Sequence, residues 1–301
     1  MADPTASPSL FDGATIVITG GTGSLGAALV SLLHLRHKPA RIVVFSRDER
    51  KQQQMEAQLG GGIPELRFLL GDVRDYDRLQ EVMAGADVCI HAAALKHIDK
   101  CEYNPAEAVK TNVVGSMNVV RACVACGVER AILISTDKAV APVNLYGATK
   151  LAAEKLFLAA NAYHRTVFKV VRYGNVLASR GSVIETFLRL REQGVREFPI
   201  TDERMTRFWI PLENAAELVL ATLAAPVQVG IPRIPSMKVA DLARAIDPEC
   251  TFRLVGMRPG EKLHECLVSP DERVPGFEAG YYSDKNDLWL TAEELRRKVG
   301  L

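Results

Sequence analysis

Short apolar runs alternate with helical stretches along the first 172 residues of the chain. The runs are ATIVIT at 14–19, RIVVF at 41–45, LRFLL at 66–70, DVCIH at 87–91, AILI at 131–134 and VFKVVR at 167–172. Each has strand length, and most are too continuously apolar to keep one face in water. Between them lie helical patterns: one following residue 24 through Leu35, one over 105–126 and one over 145–162. This alternation predicts parallel strands joined by crossover helices, an α/β doubly wound parallel sheet of Rossmann type with helices on both faces. In the 105–126 helix Val109, Val113, Val119, Val120 and Cys123 lie on or near one face. Asn112 is an odd residue to bury there unless it bridges backbone or water near the catalytic groups.

Past Arg172 the pattern changes. Residues 173–176 and 179–182 are polar and glycine-marked and read as loop rather than strand. In 201–210, Arg204 and Arg207 crowd Met205 and Trp209. Residues 213–223 predict a helix that returns to the sheet. The longest apolar candidate, 215–227, is broken by Glu217 and reads as a core helix rather than a membrane span. The remainder predicts a smaller lobe, with Thr291 and Glu294 spaced as a capping box for a last short helix.

The first strand runs into Gly20-Gly21-Thr22-Gly23-Ser24-Leu25-Gly26. Gly20, Gly23 and Gly26 permit a tight turn and close backbone approach to a pyrophosphate at the next helix's N-terminus, where Thr22 and Ser24 also lie. Between a strand and a helix this spacing predicts a dinucleotide site. A carboxylate closing the second strand would accept from the ribose 2′-hydroxyl of NAD. Here Ser46 takes that place and Arg47 follows, which suits a 2′-phosphate, so NADP is preferred over NAD, with Asp48 keeping NAD open. After the third strand Asp72, followed by Val73, could accept from an adenine amino group, and Asp75 could cap the next helix. After the fourth, Ala92 and its small neighbours let a flat cofactor lie across the strand end, and Lys96 and His97 face the crevice. His91 reads as structural, and Lys96 as either a substrate contact or a solvated side chain. The expected division is a dinucleotide-binding domain over 1–172, with 205–225 returning to it, and a mainly substrate-binding lobe over 173–301.

Net charge narrows the partners. With 37 basic and 36 acidic residues the chain carries +1, which gives no reason to expect nucleic acid or an anionic membrane surface. The first ten residues lack the apolar stretch of a signal peptide. Cys123 and Cys126 form a C-x-x-C inside an apolar helical pattern without a second pair, and read as reduced core cysteines. No metal site and a cytoplasmic location are expected.

The chemistry concentrates in STDKAVAPVNLYGATK, 135–150. Tyr146 and Lys150 are four apart where the chain turns helical, hence on one face. A tyrosine with a reference pKa of roughly 10 must drop by about three units, about 4 kcal/mol, to act as a base near neutrality. One cation at ~4 Å in an effective dielectric of ~20 supplies about that. Asp137 and Lys138 lie at the same strand end, so four ionisable groups suggest more than one proton transfer.

These features together resemble the extended short-chain dehydrogenase/reductase superfamily. SRDE at 46–49, GDVRD at 71–75, HAAALKH at 91–97, STDKA, NLYGATK, RYGNV at 172–176, SRGSV at 179–183, MTRFWI at 205–210 and RPGEKLHE at 258–265 are similar to the UDP-N-acetylglucosamine 4,6-dehydratases. Tyr146 stands where retaining members carry Met, so the resemblance implies the inverting type. It further implies a UDP-sugar substrate, a tightly bound NADP regenerated each cycle, and a homo-oligomer. Tyr146 would take the C4 hydroxyl proton with Lys150 assisting, Lys138 would remove the C5 proton, Asp137 would protonate the departing C6 hydroxyl, and Thr136 would bond near the C4 oxygen. An acid at Asp137 must be protonated against a reference of about 3.9. The expectation is therefore that Asp137 and a neutral Lys138 share one proton in a dry site. Arg207 and Arg258 are expected on the diphosphate, Asn175 and Arg180 as weaker contacts, and Glu261 beside Arg258 as a contact or as its partner in a structural turn. The rivals are a retaining dehydratase, a nucleotide-sugar 4-epimerase, which has no use for Asp137 and Lys138, and a non-catalytic NADP sensor.

Overall fold

The computed structural model describes residues 9–59, 62–177 and 181–301. In chain order its first half comprises β1 (Thr15–Thr19), α1 (Ser24–Arg36), β2 (Arg41–Ser46), α2 (Glu49–Gln58), β3 (Leu66–Leu70), α3 (Tyr76–Met83), β4 (Val88–His91), α4 (Ile98–Tyr103) and α5 (Pro105–Val109). A π-helical turn over Lys110–Val114 leads into α6 (Gly115–Ala125), then β5 (Arg130–Ile134), a 3-10 turn at Asp137–Ala139, α7 (Leu145–Ala160) and β6 (Val167–Val171). The second half comprises β7 (Asn175–Val176), α8 (Val183–Glu192), β8 (Glu197–Ile200), β9 (Thr206–Ile210), α9 (Leu212–Ala224), β10 (Val229–Gly230), β11 (Ser236–Lys238), α10 (Val239–Ile246), β12 (Thr251–Leu254), β13 (Cys266–Val268), β14 (Tyr281–Tyr282) and α11 (Ala292–Val299).

The central sheet has seven parallel strands in the order β10-β6-β5-β4-β1-β2-β3. Alternation along each strand divides its side chains between two cores. Ile16, Ile18, Ile42, Val44 and Ile90 pack on one face with α1 and α9, while Val17, Val43, Phe45, Cys89 and Leu133 pack on the other with α3, α6 and α7. The expected return of the 213–223 helix is α9, which lies against α1, with Arg36 Nη1 2.6 Å from Glu217 Oε1. Lys169 is buried under the end of α9, where its ammonium donates to the carbonyls of Thr222, Leu223 and Ala225, oxygens that a helix terminus leaves unpaired. A third core, including Phe187, Phe198, Trp209, Leu242 and Leu295, holds the lobe built from α8, β8, β9, α10 and α11. The Thr291–Glu294 capping box opens α11.

Two elements differ from expectation. The 105–126 helix is interrupted by the π turn, whose extra residue buries both Thr111 and Asn112. Residues 175–176 are a strand rather than loop, because β9 gives them a partner in a small separate sheet.

Candidate active site

β1 and β4 are neighbours from which the chain departs in opposite directions, to β2 and to β5. A crevice opens at such a switch point, at the carboxyl ends of the strands. Gly20 lies there with φ +67, and a Cβ on it would fall 2.7 Å from the Ala93 backbone. The glycine turn therefore touches the small residues after β4. α1 begins at Ser24 with Gly23 at its cap, no side-chain cap bond and no acidic residue in the first turn. Its N–H groups and positive dipole end are left for an anion, as a pyrophosphate requires. Thr22 and Gly26 are buried beside it, and Ala92 is half-buried.

At the end of β2, Ser46 is buried and Gln52 Nε2 donates to its carbonyl at 3.1 Å. Arg47 is exposed, with Nη1 3.5 Å from Asp72 Oδ2. Asp48 caps α2, accepting from the Lys51 amide at 3.0 Å, which helps hold its carboxyl low. Asp72 is gripped by Arg74, with Nε at 3.0 Å and Nη2 at 2.7 Å, so its carboxylate is already engaged. Val73 is buried against Gly115, and Asp75 caps α3. His91 is structural: it bonds Thr19 and Ser116, and burial, with Lys150 nearby, lowers its pKa to about 3, leaving it neutral.

The stretch after β5 turns inward. Thr136 caps the 3-10 turn, and its hydroxyl donates to Asp137 Oδ1 at 2.9 Å. Asp137 is fully buried. The Lys138 ammonium has three N–H donors, and three acceptors surround it: Asp137 Oδ1 at 3.0 Å, Glu265 Oε1 at 3.3 Å and Asn175 Oδ1 at 3.3 Å. Asp137 Oδ2 and Glu265 Oε2 are buried without a hydrogen-bond partner among the described residues. Asn144 caps α7 by accepting from Gly147 N at 2.7 Å, and its amide reaches Gly260 O at 2.7 Å. Lys262 Nζ donates to Val140 O at 2.6 Å. These two bonds clasp the 260–265 segment over the 3-10 turn. Asn112, left unexplained by periodicity, bonds the Leu95 backbone in both directions, at 2.8 and 2.9 Å, and donates to Thr149 Oγ1 at 3.0 Å. It ties the loop after β4 to the first turns of α7.

The electrostatics correct two expectations. Tyr146 does not fall toward neutrality: desolvation pushes it up to about 12, and the cation acting against this is Lys138 rather than Lys150. Lys150 is itself lowered to about 8 by burial, with Glu154 opposing. Nor is Lys138 neutral. Burial works to lower it, but Asp137 and Glu265 more than offset this and hold it above the ordinary lysine value. Asp137 is raised by burial, against the pull of Lys138. The second carboxylate, Glu265, is what the sequence reading missed. A charge within LHECLV is costly unless paired, and that was the available signal.

The expected substrate contacts separate. Arg207 is buried and folded inward, donating to Thr206 O at 2.7 Å and Leu263 O at 3.2 Å, with Nε 3.7 Å from Glu265 Oε1. Its guanidinium thus lies beside Glu265. Arg258 is exposed, and its amide and guanidinium approach Glu261 at 3.0 and 3.9 Å, a local turn. Lys96 is exposed and Asn175 lies at Lys138. Arg180 lies outside the described residues.

A family described as polysaccharide biosynthesis protein matches residues 16–283. The chain belongs to that family. Among curated relatives, the UDP-N-acetylglucosamine 4,6-dehydratase (inverting) of Campylobacter jejuni strain 81-176 is 47% identical over 95% of this chain and 86% of its own. A UDP-glucose 4-epimerase of Rickettsia canadensis is 40% identical over 91% of this chain and 83% of its own. The X-ray structure of Pen from Bacillus thuringiensis superposes with TM-score 0.88 at 34% identity, covering 96% of this chain and 97% of that one. The motif resemblance to the dehydratases therefore holds, and the Rossmann-like architecture of this polysaccharide biosynthesis family member is shared with a solved relative.

Proposed function

We propose that the protein is a UDP-N-acetylglucosamine 4,6-dehydratase that removes water across C5 and C6 of the sugar, with inversion at C5. The observation that carries this reading is the buried Asp137–Lys138 pair at 3.0 Å beside Tyr146. A 4-epimerase has no proton to move at C5 or C6 and gives such a pair nothing to do.

The glycine turn, the uncapped start of α1, Ala92, Ser46 and Arg47 fit a nicotinamide dinucleotide, and the exposed guanidinium of Arg47 supports NADP over NAD. When bound, the dinucleotide supplies temporary storage for a hydride taken from C4 and delivered to C6. Tyr146 is protonated in the protein alone, so its role as base at the C4 hydroxyl calls for further stabilisation of the phenolate by the bound ligands and Lys150. Thr136 orients the C4 oxygen. With C4 a ketone, the C5 hydrogen becomes acidic. Lys138, once neutral, takes that proton; the C5–H electron pair forms the C5–C6 double bond. The C6–O bond breaks, its pair stays on oxygen, and Asp137 gives that oxygen a proton, so water leaves. The competent state, Lys138 neutral and Asp137 protonated, differs from the ion pair only by one proton moved across 3.0 Å.

The lobe built from α8, β8, β9, α10 and α11 is assigned to the substrate, while α9 and β10 belong to the sheet. Arg207, Arg258, Lys96, Asn175, Glu261 and Arg180 are kept as its contacts, with Arg207 also supporting Glu265. A cytoplasmic homo-oligomer is the form this reading implies. Proton NMR of the purified protein with UDP-N-acetylglucosamine in deuterated water, without added cofactor, tests it. A C6 methyl with deuterium at C5 and inverted C5 coupling is expected. No methyl, even after NADP is supplied, would return the protein to the epimerase reading.

A further inference from the structure

The described residues place a second carboxylate on Lys138 that the elimination itself does not consume. Glu265 lies just before β13, is 2% exposed, and sits 3.3 Å from Lys138 Nζ. Its position is built. Its amide donates to Ser283 Oγ at 2.9 Å, Ser283 bonds Thr206 Oγ1 at 2.7 Å, and Arg207 approaches its Oε1 at 3.7 Å. A carboxylate buried this deeply is expensive unless it is used or fully paired, and its Oε2 has no hydrogen-bond partner among the described residues.

We propose that Glu265 is a positioning residue of the dehydration step: it fixes the Lys138 ammonium at the end of β7 and sets the proton affinity of the Asp137–Lys138 pair. This rests on the dehydratase reading above. The charged groups of the described residues that face the pair enter the argument. Asp137 belongs to the turn itself, Tyr146 to α7, Arg207 to β9, and Glu265 and Lys262 to the segment before β13. Asp137 and Glu265 favour the charged ammonium, and Arg207 opposes it. After Lys138 has taken the C5 proton, Glu265 stabilises the new cation while Asp137 becomes free to release its own proton to C6–OH. Without Glu265 the amine would be a weaker base, and Asp137 would lose a repelling neighbour. Both groups would then titrate lower.

The test is Glu265→Gln, which keeps the shape and removes the charge, with Glu265→Asp as the conservative control. Two readouts are taken on the holoenzyme: the pH profile of kcat, and the rate at which the enzyme washes the C5 hydrogen of the 4-keto product into deuterated water. The second isolates Lys138 as base. For Glu265→Gln both limbs of the kcat profile should move to lower pH by about one unit or more. The pH profile of C5 exchange should move to lower pH by a similar amount, with KM for the UDP-sugar little changed. Glu265→Asp should restore the limbs toward wild type. A rate loss with unmoved limbs, or a loss confined to KM, would reduce Glu265 to a packing residue and overturn the proposal. Should wild type make no methyl product at all, the functional reading fails instead, and the two failures are distinct. If Glu265→Gln does not fold, Arg207→Gln serves. It removes the cation opposing protonation and should move the limbs the other way; unmoved limbs there would equally overturn the proposal.

Discussion

The Cβ that Gly147 lacks would fall 2.1 Å from the carbonyl oxygen of Lys138. The first turn of α7, which carries Tyr146, is therefore pressed directly onto the 3-10 turn that carries Asp137 and Lys138. Two elements one loop apart in sequence, which carry the groups proposed for catalysis, are held at a fixed separation by a missing side chain. In an exposed helix, glycine to alanine gains about 1 kcal/mol. Here the sign reverses. Gly147→Ala should destabilise the protein by about 1–3 kcal/mol, as overpacking does, and should lower kcat more than it raises KM. Urea unfolding beside steady-state kinetics checks this; a stabilised, fully active variant would show that the contact is slack.

Arg172 joins three parts of the structure. Its guanidinium is 2.6 Å from Glu154 on α7 and 2.7 Å from Glu272, and it donates to Leu267 O at 3.3 Å. Ser135 completes the cluster by donating to Glu154 Oε1 at 2.5 Å. Arg172→Leu leaves Glu154 buried and unpaired, which should cost about 3–5 kcal/mol. Replacing both, Arg172→Leu with Glu154→Leu, should recover much of that. A double-mutant cycle by chemical unfolding decides, and a double-variant loss equal to the sum of the two single losses would deny the coupling.

Arg47 tests the cofactor preference separately from the chemistry. It is exposed and its contact with Asp72 is long, at 3.5 Å, so Arg47→Ala should leave stability nearly unchanged. If it reads the 2′-phosphate, the Kd for NADP should rise about tenfold or more, the effect of losing one charge-assisted contact. The Kd for NAD should stay within about twofold of its starting value. Calorimetric titration with each dinucleotide gives the answer, and parallel changes in both would exclude Arg47 as the discriminator.

The sheet was legible because its strands are short, apolar and regularly spaced, and the glycine turn and the Tyr146/Lys150 face follow from local spacing alone. β10 was not legible: two residues, one of them Gly230 pressed on Thr222, form no apolar run. The π turn was invisible for a related reason, since one added residue changes the face of Asn112 without changing the composition around it. The larger gap was electrostatic. Lys138 meets a carboxylate 127 positions away, at Glu265, and Arg207 turns inward to serve that same carboxylate. Such pairings arise only once β9 and the segment before β13 are packed over the strand end. Motif reading therefore gave Arg207 the diphosphate and no part in this cluster.

Lys150 offers a measurement of how far the site is strained before any ligand binds. It is 3% exposed, and burial lowers its pKa from the ordinary 10.5 to about 8. At 1.36 kcal/mol per pH unit this corresponds to about 3 kcal/mol by which the folded protein disfavours the charged lysine. Because the folded pKa lies below the unfolded one, the unfolded chain binds more protons between pH 8 and 10.5. The Lys150 contribution to stability therefore rises with pH across that window, and below pH 8 the full penalty stands. Lys150→Met removes the charge and keeps most of the side-chain volume. At pH 7 the cofactor-free variant should be more stable than wild type, by up to about 3 kcal/mol less any loss in packing, while catalysis is lost. The wild-type and variant urea midpoints should converge as pH approaches 10. Had Lys150 been paired and comfortable, the variant would be less stable at pH 7. That outcome would place its ammonium among satisfied partners and remove the case that the site holds an expensive cation in readiness for the nicotinamide ribose and the Tyr146 phenolate.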